Sequence, residues 1–349
     1  MKVTKIPGLG RFGLYIDDVD FNTITHPEWM EIGQLALKNL VVIIRDTKLG
    51  PAEYEKRMLQ FGAARYISPI ALMKKYNSTD LQAIYTQEEV NGVKVDQEDK
   101  AFLHLTSYFS PYDNSRLMRV TGKRDDKGNK LGMFAEGELL WHSNESGQLD
   151  HTAGVSLLAQ ENVKGSATGF VTTTDWYEAQ SEAFRSELDE MIIIHSWTDQ
   201  RIAPGLSDEQ DTMLYKNMCP ATREIPLVMQ SPGGIKGLHF SLNTIESIKG
   251  MSKEESNKMF QRINTELQEY VYDHWYEHDT DLLLFDNSIT LHRRLGGVTN
   301  RVCYRLQHDY RNLTSPINPY FQEPFISEYN KLYNEYEATV EAYIRSLQK

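Results

Sequence analysis

Two histidines carry the chemistry this sequence most plainly offers. In Glu138-Leu139-Leu140-Trp141-His142-Ser143-Asn144-Glu145, two leucines and a tryptophan run into a histidine, and polar residues follow. The pattern predicts a buried strand that delivers His142 to the mouth of a pocket and then leaves the core. Far downstream, Leu282-Leu283-Leu284-Phe285 predicts another buried strand, Asp286-Asn287 a turn, and His292 follows. Two imidazoles brought together by the fold suit a transition-metal site. An iron site of the two-His-one-carboxylate type needs an acid two residues after the first histidine, and here that residue is Asn144. Its amide oxygen can face a metal but brings no charge. Glu145 is one residue further and would point to the opposite face of an extended strand. Asp150 and His151 are further candidates for the same neighbourhood. His104, His195, His239, His274 and His308 read as hydrogen-bonded structural residues.

The elements that must position these groups can be read in turn. Leu14–Asp20 follows a turn rich in glycine (Gly8, Gly10, Gly13) and predicts a short strand. His26-Pro27 opens a helix with Met30, Ile32, Leu35 and Leu37 on its apolar side. Val41–Asp46 predicts a buried strand. Residues 51–61 return to helical spacing and stop at Phe61-Gly62, where glycine can cap the C-terminus. Residues 70–115 are rich in Tyr, Asn, Asp and Ser and predict a long loop or lid. Strands are predicted at Leu117–Val120, Val155–Ala159, Met191–His195 and Arg301–Leu306, a turn into a strand over Gly165–Val171, and a hairpin around Ser231-Pro232-Gly233-Gly234. Residues 175–190 predict a helix, and Ser252-Lys253-Glu254-Glu255 opens another that runs to about Asp273. Residues 200–224 read as an insertion, and 327–347 as a C-terminal helix. No repeat or linker divides the chain, so one domain over residues 1–349 is expected. It is mainly β, a sandwich or barrel decorated by helices.

Composition narrows the function class. The chain has 349 residues and a formal net charge of −12, which argues against nucleic acid or an acidic membrane surface as the main partner. Two cysteines, Cys219 and Cys303, with no framework spacing fit a reducing compartment. No apolar run approaches membrane length, and none follows the N-terminus as a signal peptide requires. A cytoplasmic protein acting on a small molecule is expected, with a homo-oligomer left open.

Taken in order, Trp141-His142-x-Asn144, the distal His292 and the pair Arg301 and Arg305 resemble the taurine-dioxygenase-like family of iron(II)- and 2-oxoglutarate-dependent oxygenases. The resemblance covers roughly residues 4–310. It takes in the Val41–Asp46 strand with its Arg-Asp end, Phe61-Gly62, Ser231-Pro232-x-Gly234-x-Lys236-Gly237-Leu238, Ser252–Ser256, and Asp286-Asn287 shortly before His292. It implies a double-stranded β-helix (a jelly-roll, cupin-like core), Fe(II), and 2-oxoglutarate with O2 as co-substrates. It implies His142, His292 and the Asn144 position as metal ligands, and Arg301 with Thr168 on the far carboxylate of 2-oxoglutarate. A planar guanidinium fork suits that carboxylate. Arg305, four residues beyond Arg301, matches a position that contacts a substrate or co-substrate anion. Tyr66, Tyr108, Tyr112 and Glu145 are candidate substrate contacts.

Asn144 keeps three activities open. In the first, Asn144 or Glu145 completes the site and the enzyme hydroxylates or desaturates a small polar molecule, releasing succinate and CO2. In the second, the position stays open to chloride and the enzyme halogenates, as relatives in the wider superfamily do. In the third, the protein is a non-catalytic binding module on an oxygenase fold.

Overall fold

The computed structural model describes residues 1–62, 64, 72, 75–78, 80–97, 99–100, 103, 117–124, 126, 128, 131–132, 139–144, 146, 152–196, 223–295 and 300–313. Two sheets face each other. The larger has seven strands in the order Lys2–Lys5, Leu14–Asp17, Val41–Ile44, Leu282–Asp286, Gly154–Glu161, Val302–His308, Met118–Thr121. Only the Leu14–Asp17 and Val41–Ile44 pair is parallel. The smaller sheet has three antiparallel strands, with Ala167–Thr172 between Val271–Trp275 and Thr290–Arg294.

Alternation along these strands sorts residues into layers. Val41, Ile43, Val155, Leu157, Leu283, Phe285 and Cys303 point into the space between the sheets and meet Phe170 and Tyr276 from the other side. Phe170 and Phe285 close that space edge to face, 5.2 Å between centroids. Val42, Ile44, Leu158, Leu282 and Leu284 point outward, under Trp29, Ile32 and Leu37 of the His26–Asn39 helix and Tyr54 and Met58 of Pro51–Met58. Both faces of the central strands are therefore covered, and their sequences read as continuous apolar runs. On the far side, Val171 and Leu291 pack beneath Trp176, Phe260, Ile263 and Leu267. The result is a double-stranded β-helix with helices on its outside.

Several expectations need correction. The helix opened by the Ser252 capping box ends at Leu267, where its buried stripe of Phe260, Ile263 and Leu267 runs out. After a turn of 3-10 helix, Val271–Trp275 is a strand, because β-branched and aromatic residues there complete a ladder on Ala167–Thr172. The second helix stops at Met58, and Gly62 is not its cap. Gly62 permits close approach instead, since a Cβ there would lie 2.2 Å from the Asp309 carbonyl oxygen. The 175–190 segment is two helices, Thr173–Ala179 and Glu182–Glu190, the second capped by Ser181. The approach to His142 is not a regular strand, and Leu140 is exposed between buried Leu139 and Trp141. Within 70–115 the described residues include a helix, Leu81–Thr86, and a small hairpin. Leu72, Tyr76, Ile84, Val90, Val95 and Leu103 form a hydrophobic cluster of their own there. The proposed C-terminal helix, most of the 200–224 insertion and much of the 70–115 region lie outside the described residues. No helix among the described residues is long and apolar enough to cross a membrane.

The turn that leads into the His292 strand is held by one buried carboxylate. Asp286 Oδ1 accepts from the backbone N–H groups of Ser288 (2.9 Å) and Ile289 (2.8 Å). Burial pushes this carboxyl up from 3.8 to about 7, outweighing the backbone donors that favour its charged form. A raised acid binds more protons folded than unfolded, so its contribution to stability falls as pH rises from about 4 to about 7. Asp286→Asn keeps the acceptor without the charge. Thermal denaturation should show the variant gaining on the parent between pH 5 and pH 8; an unchanged difference would mean that Asp286 does not titrate in this range.

Candidate metal centre

His142 and His292 meet across a single antiparallel bridge. The His142 N–H donates to the His292 carbonyl at 3.0 Å, and the His292 N–H returns to the His142 carbonyl at 2.9 Å. Cross-strand partners project to the same side, and the two ring centroids are 4.2 Å apart. His142 Nδ1 lies 2.7 Å from the Leu140 carbonyl oxygen. A carbonyl only accepts, so Nδ1 carries the proton and the lone pair is left on Nε2. Burial lowers His142 to about 4, and the positive charges of Arg305 and Arg294 push the same way. His292 is held well below the usual histidine range by burial, by His142 and by Arg305. Both rings are therefore neutral near pH 7, the form that ligates a metal. His292 Nδ1 is buried without a hydrogen-bond partner. Two neutral imidazoles this close, one with an orphaned buried nitrogen, fit a shared first-row transition metal.

The third position is held in place by a neighbour. Asn287 accepts from the Asn144 N–H through Oδ1 (2.8 Å) and donates through Nδ2 to the carbonyls of Asn144 (3.0 Å) and Thr152 (2.8 Å). The Asn144 side chain accepts from Arg305 Nη1 at 3.4 Å, and its own Nδ2 is buried without a partner. Among the described residues, no group of three or more His, Cys, Asp and Glu side chains is arranged to hold a metal. The chain thus offers two imidazoles and an amide at this point, and the charges felt by the imidazoles are positive.

The anion-binding candidates share the same interior. In the small sheet His292 pairs with Phe170 and Arg294 with Thr168, so His292, Arg294 and Thr168 lie on one face. Thr168 Oγ1 is 2.8 Å from the Tyr276 hydroxyl. Burial pushes the Tyr276 hydroxyl far above its ordinary value, so it stays protonated and neutral. Arg301, immediately before the Val302–His308 strand, is 4% exposed, and its Nη1 is buried without a partner. Arg305 pairs with Leu157 and with Met118, whose sulfur lies 3.3 Å from its Nη2. Burial and the charge of Arg301 pull Arg294 down to about 10, leaving it cationic at neutral pH.

Six residues named from the sequence therefore line the space between the sheets: His142, Asn144, Thr168, His292, Arg301 and Arg305. Tyr66, Tyr108, Tyr112 and Glu145, like Asp150 and His151, lie outside the described residues. Three residues were missed. Asn287 was read only as part of a turn. Arg294 follows His292 at strand spacing, a signal that was available. Tyr276 follows a stretch read as helix, which hid its alternation with His274.

The clamp makes a clear prediction. Asn287→Ala would strand two backbone carbonyls and one N–H in a buried setting, each costing about 1–3 kcal/mol. Urea denaturation should show a loss of at least about 2 kcal/mol, together with weaker metal retention. A variant as stable as the parent would mean that Asn287 does not hold this loop.

Comparison with known proteins bears on the family and the fold. The family model described as "Taurine catabolism dioxygenase TauD, TfdA family" matches residues 2–307. No curated protein sequence matches. Among solved structures, AAD-2 in complex with Mn(II) and N-oxalylglycine is similar, with 19% identity and a TM-score of 0.61 over 88% of this chain and 96% of that one. A taurine dioxygenase from Burkholderia xenovorans is similar at 18% identity and a TM-score of 0.57, covering 88% of each chain.

Proposed function

The chain belongs to the taurine catabolism dioxygenase TauD, TfdA family, whose members use Fe(II) and 2-oxoglutarate, and from that premise we propose that it oxidises a small polar molecule at the His142–His292 site. The observation that carries this reading is the pair of neutral, bridged imidazoles with Arg305 close enough to act on both, in a chain that also buries Arg301 with a partnerless N–H. When bound, Fe(II) with 2-oxoglutarate supplies O2 activation coupled to oxidation of the co-substrate to succinate and CO2. His142 and His292 would hold the metal. Arg301, with the Thr168 hydroxyl, orients the far carboxylate of the co-substrate, and a preset fork does so at low entropic cost. Arg305, at Asn144, presents a cation where a substrate or co-substrate anion approaches. Phe170 and Phe285 wall the space on its apolar side and exclude water from it. The whole chain is read as one oxygenase domain.

The direct test is succinate release with Fe(II), 2-oxoglutarate and a panel of small amines, amino acids and sulfonates. His142→Ala and His292→Ala should each lose stoichiometric Fe(II) binding and all turnover, and full activity in either would refute the site. Truncating a desolvated charged partner costs about 2–5 kcal/mol. Arg301→Ala should therefore raise the 2-oxoglutarate requirement by about two orders of magnitude or more.

The neutral Asn144, turned toward Arg305, favours one alternative enough to test. A position without a carboxylate can take chloride, and the product would then carry chlorine. Mass spectrometry of the product made with and without chloride separates the two, with an oxygenated, chlorine-free product expected in both buffers. A chlorine isotope pattern would establish the halogenase reading. Absence of succinate in both buffers would favour a non-catalytic binding module.

A further inference from the structure

We propose that Arg294 is a second cation on the far carboxylate of 2-oxoglutarate, seated with Arg301 and the Thr168–Tyr276 hydroxyl pair. This rests on the co-substrate reading above and extends it to two residues that reading does not use.

The placement follows from the ladder. Arg294 is paired directly with Thr168, and directly paired side chains stand on one face with Cβ atoms about 5 Å apart. His292 lies two residues earlier on that face. Two residues of strand rise about 6.6 Å, on the order of the reach of a five-carbon diacid from its chelating end to its far carboxylate. Arg294 therefore sits one pleat from the metal-side histidine, at the depth where Thr168 and Tyr276 share a hydrogen bond of 2.8 Å.

Charge points the same way. Arg301 is 4% exposed, keeps a buried Nη1 without a partner, and lies close enough for its charge to act on Arg294. Two guanidiniums drawn together in a low-dielectric interior repel each other unless an anion stands between them. Among the described residues Arg301 makes no ion pair, and its Nη1 has no hydrogen-bond partner. A carboxylate accepting from both guanidiniums and from a hydroxyl would satisfy the orphaned donor and relieve the repulsion at once. The Tyr276 hydroxyl, neutral and bonded to Thr168 Oγ1, fixes which way the threonine hydroxyl points, and so acts as a positioning residue.

The test compares two ligands on the full-length protein loaded with Mn(II), using calorimetry. One is 2-oxoglutarate. The other is 2-oxopentanoate, which has the same chain and chelating end but no far carboxylate. In Arg294→Gln, affinity for 2-oxoglutarate should fall about tenfold or more while affinity for 2-oxopentanoate is unchanged. Arg294→Lys should recover part of the loss. Tyr276→Phe should weaken 2-oxoglutarate by a few-fold and spare 2-oxopentanoate. An Arg294→Gln variant that binds 2-oxoglutarate like the parent would overturn the inference and leave the co-substrate reading standing. Equal loss of both ligands would also overturn it, since that reports damage to the metal site or fold. A parent protein that binds the two acids equally would overturn the co-substrate reading itself.

Discussion

The arrangement depends on two backbone hydrogen bonds. The mutual bond pair between His142 and His292, with the Leu139 N–H donating to the Arg294 carbonyl beside it, ties the segment around His142 to the small sheet. Among the described residues His142 sits in no regular strand, and the bridge is supported from behind. Asn287 does this by acting as a peptide group would, accepting one N–H and donating to two carbonyls. Asp286, one residue earlier, caps the turn that sends the chain into the His292 strand. Adjacent residues on one strand end therefore fix both halves of the proposed metal centre, one through the His142 loop and one through the His292 strand.

The charges acting on the two imidazoles are one-sided. The imidazoles feel Arg305, and His142 also feels Arg294, while Arg301 lies deeper still. Positive charge keeps the imidazoles neutral, which prepares them to ligate, yet the same charge opposes an incoming dication. An anionic co-substrate removes that opposition. Metal and co-substrate are therefore coupled, and each should raise the affinity of the other by the same factor. The neutral Asn144 strengthens this coupling, because no described acid beside it offsets the arginines.

Much of this was legible in the sequence, and the failures have physical causes. The Val41–Ile44 and Leu282–Asp286 strands were plain because strands covered on both faces must be apolar throughout. His142 and His292 stood out because each follows an apolar run, although the run before His142 is not a regular strand and exposes Leu140. The His26-Pro27 pair and the Ser252 cap marked helix starts faithfully. Helix ends were harder: Val271–Trp275 continued an acceptable helical pattern, and only its partner strand Ala167–Thr172 decides the matter. The importance of Asn287 could not be read locally, because its three partners lie in the segment around residues 144–152. Arg294 was overlooked beside Arg293 although alternation separates them. Arg293 stands over the Trp141 ring, 4.3 Å from its centroid, while Arg294 faces Thr168.

The small cluster of Leu72, Tyr76, Ile84, Val90, Val95 and Leu103 is separate from the three larger cores around the two sheets. A segment with a private core unfolds and refolds at a free energy of its own. Its side chains can be exchanged without repacking the sheets that hold His142 and His292. Selection can therefore remodel that segment at little cost to the metal centre, and homologues can diverge in this region while their catalytic core keeps its geometry.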